Sequence, residues 1–198
     1  MSHLESYTKF TTEMESDEVP QDERIDRLRY WCGQFDEHDL APNDGQFSYG
    51  NMSFRREEGD DSLIITASGT DFGGDLPPER FVGVRTCDNG IVYASGLHKP
   101  SSESMLHHAL YKFHRETGIP INAIFHGHYD PILERADELG WPVTAQEEEF
   151  GTPQLVNSVL AIADQGPFLI MKGHGFISAG ESMDQAGELA LEKYRMVA

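Results

Sequence analysis

Alternation of short apolar strands with amphipathic helices is the feature that most limits the possible folds of this chain. Runs of five or six mostly apolar residues at 62–67, 121–125 and 168–172 end in glycine or polar residues, as buried strands do. Apolar stripes at helical spacing surround these runs, and we expect helices at about 22–36, 103–116, 153–163 and 182–196. Strands surrounded by helices predict an α/β layered domain.

Turn and cap signals sharpen this pattern. Asp88-Asn89-Gly90 separates two strand-like runs at 81–85 and 91–95, and an Asn-Gly pair tolerates the positive φ of a tight hairpin. Thr152-Pro153 predicts a helix start, with threonine as the N-cap and proline in the first turn. The alternating residues 46–56 predict a further strand.

Length and charge distribution indicate one domain with an acidic extension. A chain of 198 residues is about one domain long. We expect a solvent-exposed acidic N-terminal arm over residues 1–21 and a single domain over residues 22–198. The chain has 34 Asp and Glu against 15 Lys and Arg, which gives a net charge of −19.

This negative charge argues against nucleic acid or an anionic membrane surface as the main partner. No apolar run approaches the ~20 residues that span a bilayer, and the N-terminus lacks a basic segment followed by an apolar one. Cys32 and Cys87 form no C-x-x-C pattern, so we expect two reduced thiols and a cytoplasmic protein.

His126-Gly127-His128 is the strongest local signal of chemistry. Side chains at i and i+2 of an extended segment point the same way, so the two imidazoles face one point. His174 also follows a buried strand and is flanked by glycines. Catalytic zinc commonly takes three protein ligands and keeps an open position, which makes these residues a candidate metal site. An isolated H-x-H pair is also common among ordinary surface histidines.

Three small polar segments suit an anion. They lie at strand ends or at a helix start, at 50–53, 68–70 and 101–102. Glycine lets backbone N–H groups approach a phosphate, and a helix N-terminus favours negative charge. Each segment alone is also typical of ordinary turns and caps.

Two glutamates are candidate acid–base groups. Glu103 lies in the first turn of the helix after Ser102, where a carboxylate also stabilises the helix without any catalytic role. Glu147 lies in a run of acidic residues, which is more typical of a solvated surface.

Taken together, these motifs resemble the class II aldolase/adducin family, from about Arg27 to Tyr194. The resemblance rests on six segments in order: GNMSFR (50–55), ITASGTDF (65–72), KPSSESMLHHALY (99–111), AIFHGHYDPIL (123–133), GTPQLVNSVL (151–160) and LIMKGHGFISAGESMDQAGELALEKY (169–194). It implies a three-layer α/β/α domain around a mostly antiparallel sheet. It also implies a homotetramer with active sites at subunit contacts.

The resemblance assigns a role to each candidate residue. Zinc, or another divalent metal, would be held by His126, His128 and His174, and Glu103 would be the catalytic acid–base group. The phosphate-binding positions would be Asn51, Ser68, Gly69, Ser101 and Ser102.

Sugar-phosphate aldolases of the L-fuculose-1-phosphate aldolase type are the most similar branch. This implies cleavage of a ketose 1-phosphate to dihydroxyacetone phosphate and an aldehyde, with zinc as a Lewis acid. The small-molecule sugar phosphate would be the partner, with neither nucleic acid nor a membrane.

The sequence departs from the aldolase pattern in two places. The chain stops soon after Tyr194, so we expect the C-terminal tail that supplies an aldehyde-side tyrosine in the aldolase to be short or absent. Glu147 stands where the aldolase carries a second functional tyrosine. Glu147 is similar to the catalytic glutamate of methylthioribulose-1-phosphate dehydratase, although that relative lacks the early glutamate. A pentulose-phosphate 4-epimerase, with aspartate at position 103, and a non-catalytic adducin-like interaction domain are further alternatives.

Overall fold

One eight-stranded sheet runs through the whole of the computed structural model, which describes residues 10–57 and 59–198. The strand order is β1-β5-β4-β3-β2-β6-β8-β7. Every neighbouring pair is antiparallel except β1 and β5. The strands are β1 (Thr11–Ser16), β2 (Gly50–Arg55), β3 (Leu63–Thr66), β4 (Phe81–Asp88), β5 (Ile91–Ser95), β6 (Ala123–Gly127), β7 (Phe168–Met171) and β8 (Gly175–Gly180).

Helices cover both faces of this sheet. The described helices are α1 (Ile25–Glu37), α2 (Ser104–Thr117), α3 (Asp130–Glu134), α4 (Pro153–Leu160) and α5 (Met183–Arg195), with 3₁₀ turns at 78–80 and 163–165. One apolar cluster joins α1, α3 and α5 to the sheet, and a second joins α2 and α4 to it. The predicted three-layer α/β/α fold around a mostly antiparallel sheet is therefore confirmed.

Alternation along the strands explains the two apolar clusters. Phe125 packs on the α1 side, and its neighbour Ile124 packs on the α2 side. Successive strand residues point to opposite faces, so a strand covered on both sides is apolar throughout. Phe35 of α1 meets Phe125 edge to face, with ring centroids 5.8 Å apart. This packing fixes the position of β6, the strand that carries His126.

Local predictions from turn chemistry agree with the structure at two points. Asn89 and Gly90 have φ of 47° and 77° in the β4–β5 hairpin. Thr152 Oγ1 accepts a hydrogen bond of 3.2 Å from the backbone N–H of Leu155 and so caps α4.

The predicted strand over 46–56 begins only at Gly50. The backbone N–H groups of Gln46 and Phe47 donate to the side chain of Asp44, at 2.9 and 3.2 Å. That side chain holds the segment in a turn, which delays the strand.

Part of the predicted acidic arm is a strand. Thr11–Ser16 pair in parallel with β5 at the sheet edge, and most of their side chains are exposed. An edge strand needs one paired side only, so acidic side chains are compatible with it. Residues 1–9 of the arm lie outside the described residues.

Neither cysteine is in a disulfide. Cys32 is fully buried, and burial raises the pKa of its thiol. Burial also raises the pKa of Cys87 to about 12. Both thiols are therefore protonated and poorly nucleophilic at neutral pH. None of the described helices combines the length and the apolar character needed to cross a membrane.

Three histidines of α2 are buried: His107, His108 and His114. Burial and the charge of Arg55 lower the pKa of His114 to about 4. An unfolded histidine titrates near ~6.5, so between these values the unfolded chain binds more protons than the native one. The contribution of His114 to stability is therefore fully present above about pH 6.5 and is lost as the pH falls towards 4.

We expect His114 to account for about 2 kcal/mol of this acid loss, after discounting for partial solvent screening. A His114→Gln variant should lose that much less stability between pH 7.5 and pH 4.5. Urea unfolding of both proteins across this range measures the difference. All other histidines are common to both proteins, so parallel curves would contradict the prediction.

Candidate active site

Three histidines converge where β6 ends and β8 begins. His126 is in β6, His128 follows its last residue, and His174 lies in the turn between β7 and β8. One nitrogen from each ring lies within 4.8 Å of the other two. The ring centroids are 4.6, 5.0 and 5.1 Å apart.

Close packing around Gly127 places the first two rings. A Cβ on Gly127 would lie 2.5 Å from the carbonyl oxygen of Leu40 and 2.6 Å from the ring of Phe176. The backbone N–H of His128 donates to the same Leu40 oxygen at 2.8 Å. The chain therefore passes through a space that only glycine fits.

The imidazoles of His126 and His128 are neutral, and that of His126 is oriented as a ligand. Nδ1 of His126 donates to the carbonyl oxygen of Phe176 at 2.9 Å, which leaves Nε2 with its lone pair. Burial lowers the pKa of His126 well below its usual value and that of His128 to about 2. Neutral imidazole is the form that binds a divalent metal.

Glu103 lies directly against the histidines. Its Oε2 is 3.3 Å from Nε2 of His126, and its Oε1 is 3.3 Å from Nε2 of His174. The side-chain amide of Asn51 donates to Oε2 at 3.1 Å. The sequence predicted Glu103 in the first turn of α2. In the structure it is instead the N-cap residue of this helix.

This arrangement fits a divalent cation. The Glu103 carboxylate is buried, its Oε1 has no hydrogen-bond partner, and the lone pair of His126 Nε2 faces Oε2. A buried carboxylate beside neutral nitrogens is costly unless positive charge offsets it. A dication bound by the three imidazoles would supply that charge.

A cavity of about 260 Å³ opens onto these side chains. Every predicted metal and phosphate position and Glu103 line it, so the structure brings these sequence-predicted residues together. They are Asn51, Ser68, Gly69, Ser101, Ser102, Glu103, His126, His128 and His174.

Backbone hydrogen bonds hold the two serine segments side by side. The N–H of Ser68 donates to the carbonyl oxygen of Lys99 at 2.9 Å, and the N–H of Ser101 donates to that of Thr66 at 3.2 Å. Gly69 has φ of 68°, which glycine adopts without strain. Among the described residues lining the cavity there is no lysine or arginine. An anion here would depend on neutral donors, the α2 N-terminus and a bound metal.

The family profile "Class II Aldolase and Adducin N-terminal domain" matches residues 28–196. The chain belongs to the class II aldolase and adducin family. No curated protein matches it in sequence.

Solved structures share the fold of this class II aldolase family member. An L-fuculose 1-phosphate aldolase is 21% identical with a TM-score of 0.68, covering 90% of this chain and 86% of that one. A sugar-phosphate aldolase from Thermotoga maritima is 18% identical with a TM-score of 0.71, covering 88% and 93%. The N-terminal class II aldolase domain of a conserved protein from Thermoplasma acidophilum is 19% identical with a TM-score of 0.65, covering 93% and 97%.

Glu147 is the one predicted site residue of this family member that does not line the cavity. Its side chain is exposed but packs on the turn that carries His174. A Cβ on Gly173 would lie 2.7 Å from Oε2 of Glu147. Gly173 has φ of 68°, which glycine adopts without strain.

Aromatic residues of the cavity were missed by the sequence analysis. Phe47, Tyr49 and Phe150 line it, and the ring of Tyr49 lies 6.0 Å from that of His128. The position of the first two, directly before Gly50-Asn51, is a signal that could have revealed them. Phe150 reaches the cavity from a distant loop, and no local pattern indicates this.

Proposed function

We propose that this protein is a zinc-dependent aldolase that cleaves a ketose 1-phosphate to dihydroxyacetone phosphate and an aldehyde. The observation that carries the proposal is the Glu103 carboxylate, buried 3.3 Å from two imidazoles of the histidine triad. An acid–base group beside a three-histidine site is what retro-aldol chemistry on a metal requires. The fold shared with a protein named L-fuculose 1-phosphate aldolase supports it.

The three histidines would hold the metal as neutral ligands and leave its double charge undiminished. Zinc bound there would act as a Lewis acid and stabilise the negative charge that carbon–carbon cleavage leaves on the ketose fragment. The nearby carboxylate and the cavity walls then determine where the substrate lies.

Glu103 would transfer the proton at the nucleophilic carbon of dihydroxyacetone phosphate. In cleavage the hydroxyl that becomes the aldehyde would lose its proton to solvent, and Glu103, protonated from solvent, would deliver one to this carbon; in condensation both transfers would run in reverse. The amide of Asn51 holds Oε2 at 3.1 Å, so the carboxylate is fixed before the substrate arrives.

The segments with Ser68, Gly69, Ser101 and Ser102 would bind the substrate phosphate together with Asn51. Serine hydroxyls and backbone N–H groups donate without adding charge, and the N-terminus of α2 contributes its dipole. Binding the phosphate away from the reacting bond positions the reacting end of the sugar.

A dehydratase acting on a methylthioribulose 1-phosphate-like substrate is the second candidate. The observation in its favour is the packing of Glu147 on Gly173, directly before His174. A small movement of this exposed side chain would bring a second carboxylate to the cavity, where it could exchange the proton of a dehydration.

We further propose a cytoplasmic homotetramer, in keeping with the family resemblance and the free thiols.

Product analysis with a panel of ketose 1-phosphates tests the proposal. We expect at least one member to yield dihydroxyacetone phosphate in a zinc-dependent reaction, detected by coupled NADH oxidation. The unphosphorylated ketose should react with a kcat/KM lower by about 100-fold or more, because phosphate binding positions the sugar. Dehydration of methylthioribulose 1-phosphate without any dihydroxyacetone phosphate release would favour the second candidate.

A further inference from the structure

Matched polar residues join α2 to β2 beneath the proposed active site. Glu103, His107 and Tyr111 are spaced at i, i+4 and i+8, so they share one helix face. On β2, Asn51, Ser53 and Arg55 are spaced at i, i+2 and i+4 and share one strand face. We call these six residues the polar ladder.

Direct contacts join the two sides of the polar ladder. Asn51 binds Glu103, Ser53 Oγ lies 2.7 Å from Nδ1 of His107, and the guanidinium of Arg55 donates to the carbonyl oxygen of Tyr111 at 2.8 Å. All six side chains are buried. Hydrogen bonds between buried polar groups restrict the arrangements that the groups can adopt.

Two hydrogen bonds in the middle of the polar ladder link the tautomer of His107 to the direction in which Tyr111 and Ser53 donate. The Tyr111 hydroxyl lies 2.9 Å from Ser53 Oγ, the one acceptor for its hydrogen among the described residues. If tyrosine donates to serine, serine donates its own hydrogen to Nδ1 of His107. The proton of the neutral imidazole is then on Nε2.

In this tautomer the Nε2–H of His107 is a buried donor without an acceptor in the described structure, and Oε1 of Glu103 lacks a hydrogen-bond partner as well. Burial lowers the pKa of His107 to about 4, so the ring is neutral, and Glu103 is the charge that opposes this shift. His107 also lies one helical turn from Glu103, with its backbone N–H on the Glu103 carbonyl oxygen at 3.1 Å.

We propose that His107 is a positioning residue: Ser53 and Tyr111 hold it as the Nε2–H tautomer one helical turn from Glu103, where its N–H dipole favours the carboxylate orientation used for proton transfer. This inference rests on the proposed role of Glu103. It adds a function for three buried residues that belong neither to the cavity lining nor to the histidine triad.

The tautomer can be measured without any activity assay. Long-range ¹H–¹⁵N correlation spectra of the zinc-loaded protein, with His107 assigned by substitution, distinguish Nδ1–H from Nε2–H. We expect Nε2–H in the wild type and a shift towards Nδ1–H in Ser53→Ala and Tyr111→Phe, because each breaks the donor chain. An Nδ1–H tautomer in the wild type would overturn the proposal even if aldolase activity is found.

Kinetics test whether the tautomer acts through Glu103. We expect Ser53→Ala and Tyr111→Phe to lower kcat by about 10–100-fold, as loss of a supporting hydrogen bond typically does, with KM and zinc content unchanged. Ser53→Thr keeps the hydroxyl and should restore most of kcat. In a Glu103→Gln background, Ser53→Ala should have no further effect, because residues acting as one unit are not additive.

His108→Phe is the matched control. His108 is also buried on α2 but binds the backbone N–H of Cys87, off the polar ladder. It should lower the thermal midpoint without lowering kcat. Equal kcat losses in His108→Phe and Ser53→Ala would show a merely structural role. If no ketose phosphate is cleaved at all, the proposed function fails while the tautomer measurement still decides this inference.

Discussion

Replacing Glu103 by glutamine should lower kcat for carbon–carbon cleavage by about 10³-fold, while zinc stays bound at near-normal stoichiometry. The amide keeps the size of the side chain and can still accept the hydrogen bond from Asn51. It cannot take up or deliver a proton at the substrate carbon. Steady-state kinetics and elemental analysis of the same preparation measure the two quantities.

Glu147→Gln is the matched control for this substitution. Its carboxylate is exposed and does not line the cavity, so aldolase turnover should change less than about threefold. Full turnover in Glu103→Gln together with an inactive Glu147→Gln would reverse the assignment. The dehydratase candidate would then take the place of the aldolase.

Removing one imidazole should abolish stoichiometric metal binding. We expect His126→Ala or His174→Ala to weaken zinc affinity by on the order of 10²–10³-fold, since each ligand of a protein zinc site contributes roughly 3 kcal/mol. The purified variants should contain much less than one zinc per chain. They should also lose the thermal stabilisation that added zinc gives the wild type.

His108→Ala is the control for metal content. His108 is buried on α2, and the described part of the chain places it outside the histidine triad. Its loss should reduce stability without reducing zinc content. Unchanged zinc in His126→Ala and His174→Ala would contradict the metal site and, with it, the proposed aldolase.

Sequence patterns were sufficient where a residue's neighbours in the chain determine its structure. The buried positions of α1 follow from spacing alone, and the Asn89-Gly90 turn follows from tolerance of positive φ. The fold class follows from the alternation of strands and helices. The family resemblance supplied the sheet's mostly antiparallel character, which periodicity does not reveal.

Two strands were missed for physical reasons. β8, Gly175–Gly180, is buried on both sides and begins and ends with glycine, so it shows neither alternation nor a long apolar run. β1 is acidic and exposed, and its strand structure depends on pairing with β5. Pairing between distant segments of the chain cannot be detected in the local sequence pattern.

The residues of the candidate site were likewise predictable only where the local sequence pattern determines their position. His126 and His128 are visible as a pair because their spacing places them on one side of the chain. The polar ladder combines an i+4 pattern on α2 with an i+2 pattern on β2, and nothing in either segment indicates the other. Aromatic residues such as Phe150 enter the cavity only through tertiary structure.

The close packing around Gly127 limits which positions near the candidate site can be engineered. The backbone at Gly127 is enclosed by Leu40 and Phe176 and accepts no side chain, so this end of the strand with the candidate metal site is a poor target for randomisation. Phe47, Tyr49 and Phe150 also line the cavity, and all three lie on segments outside the strands of the sheet. A library that seeks new substrates should diversify these three aromatic residues and keep residues 126–128 constant.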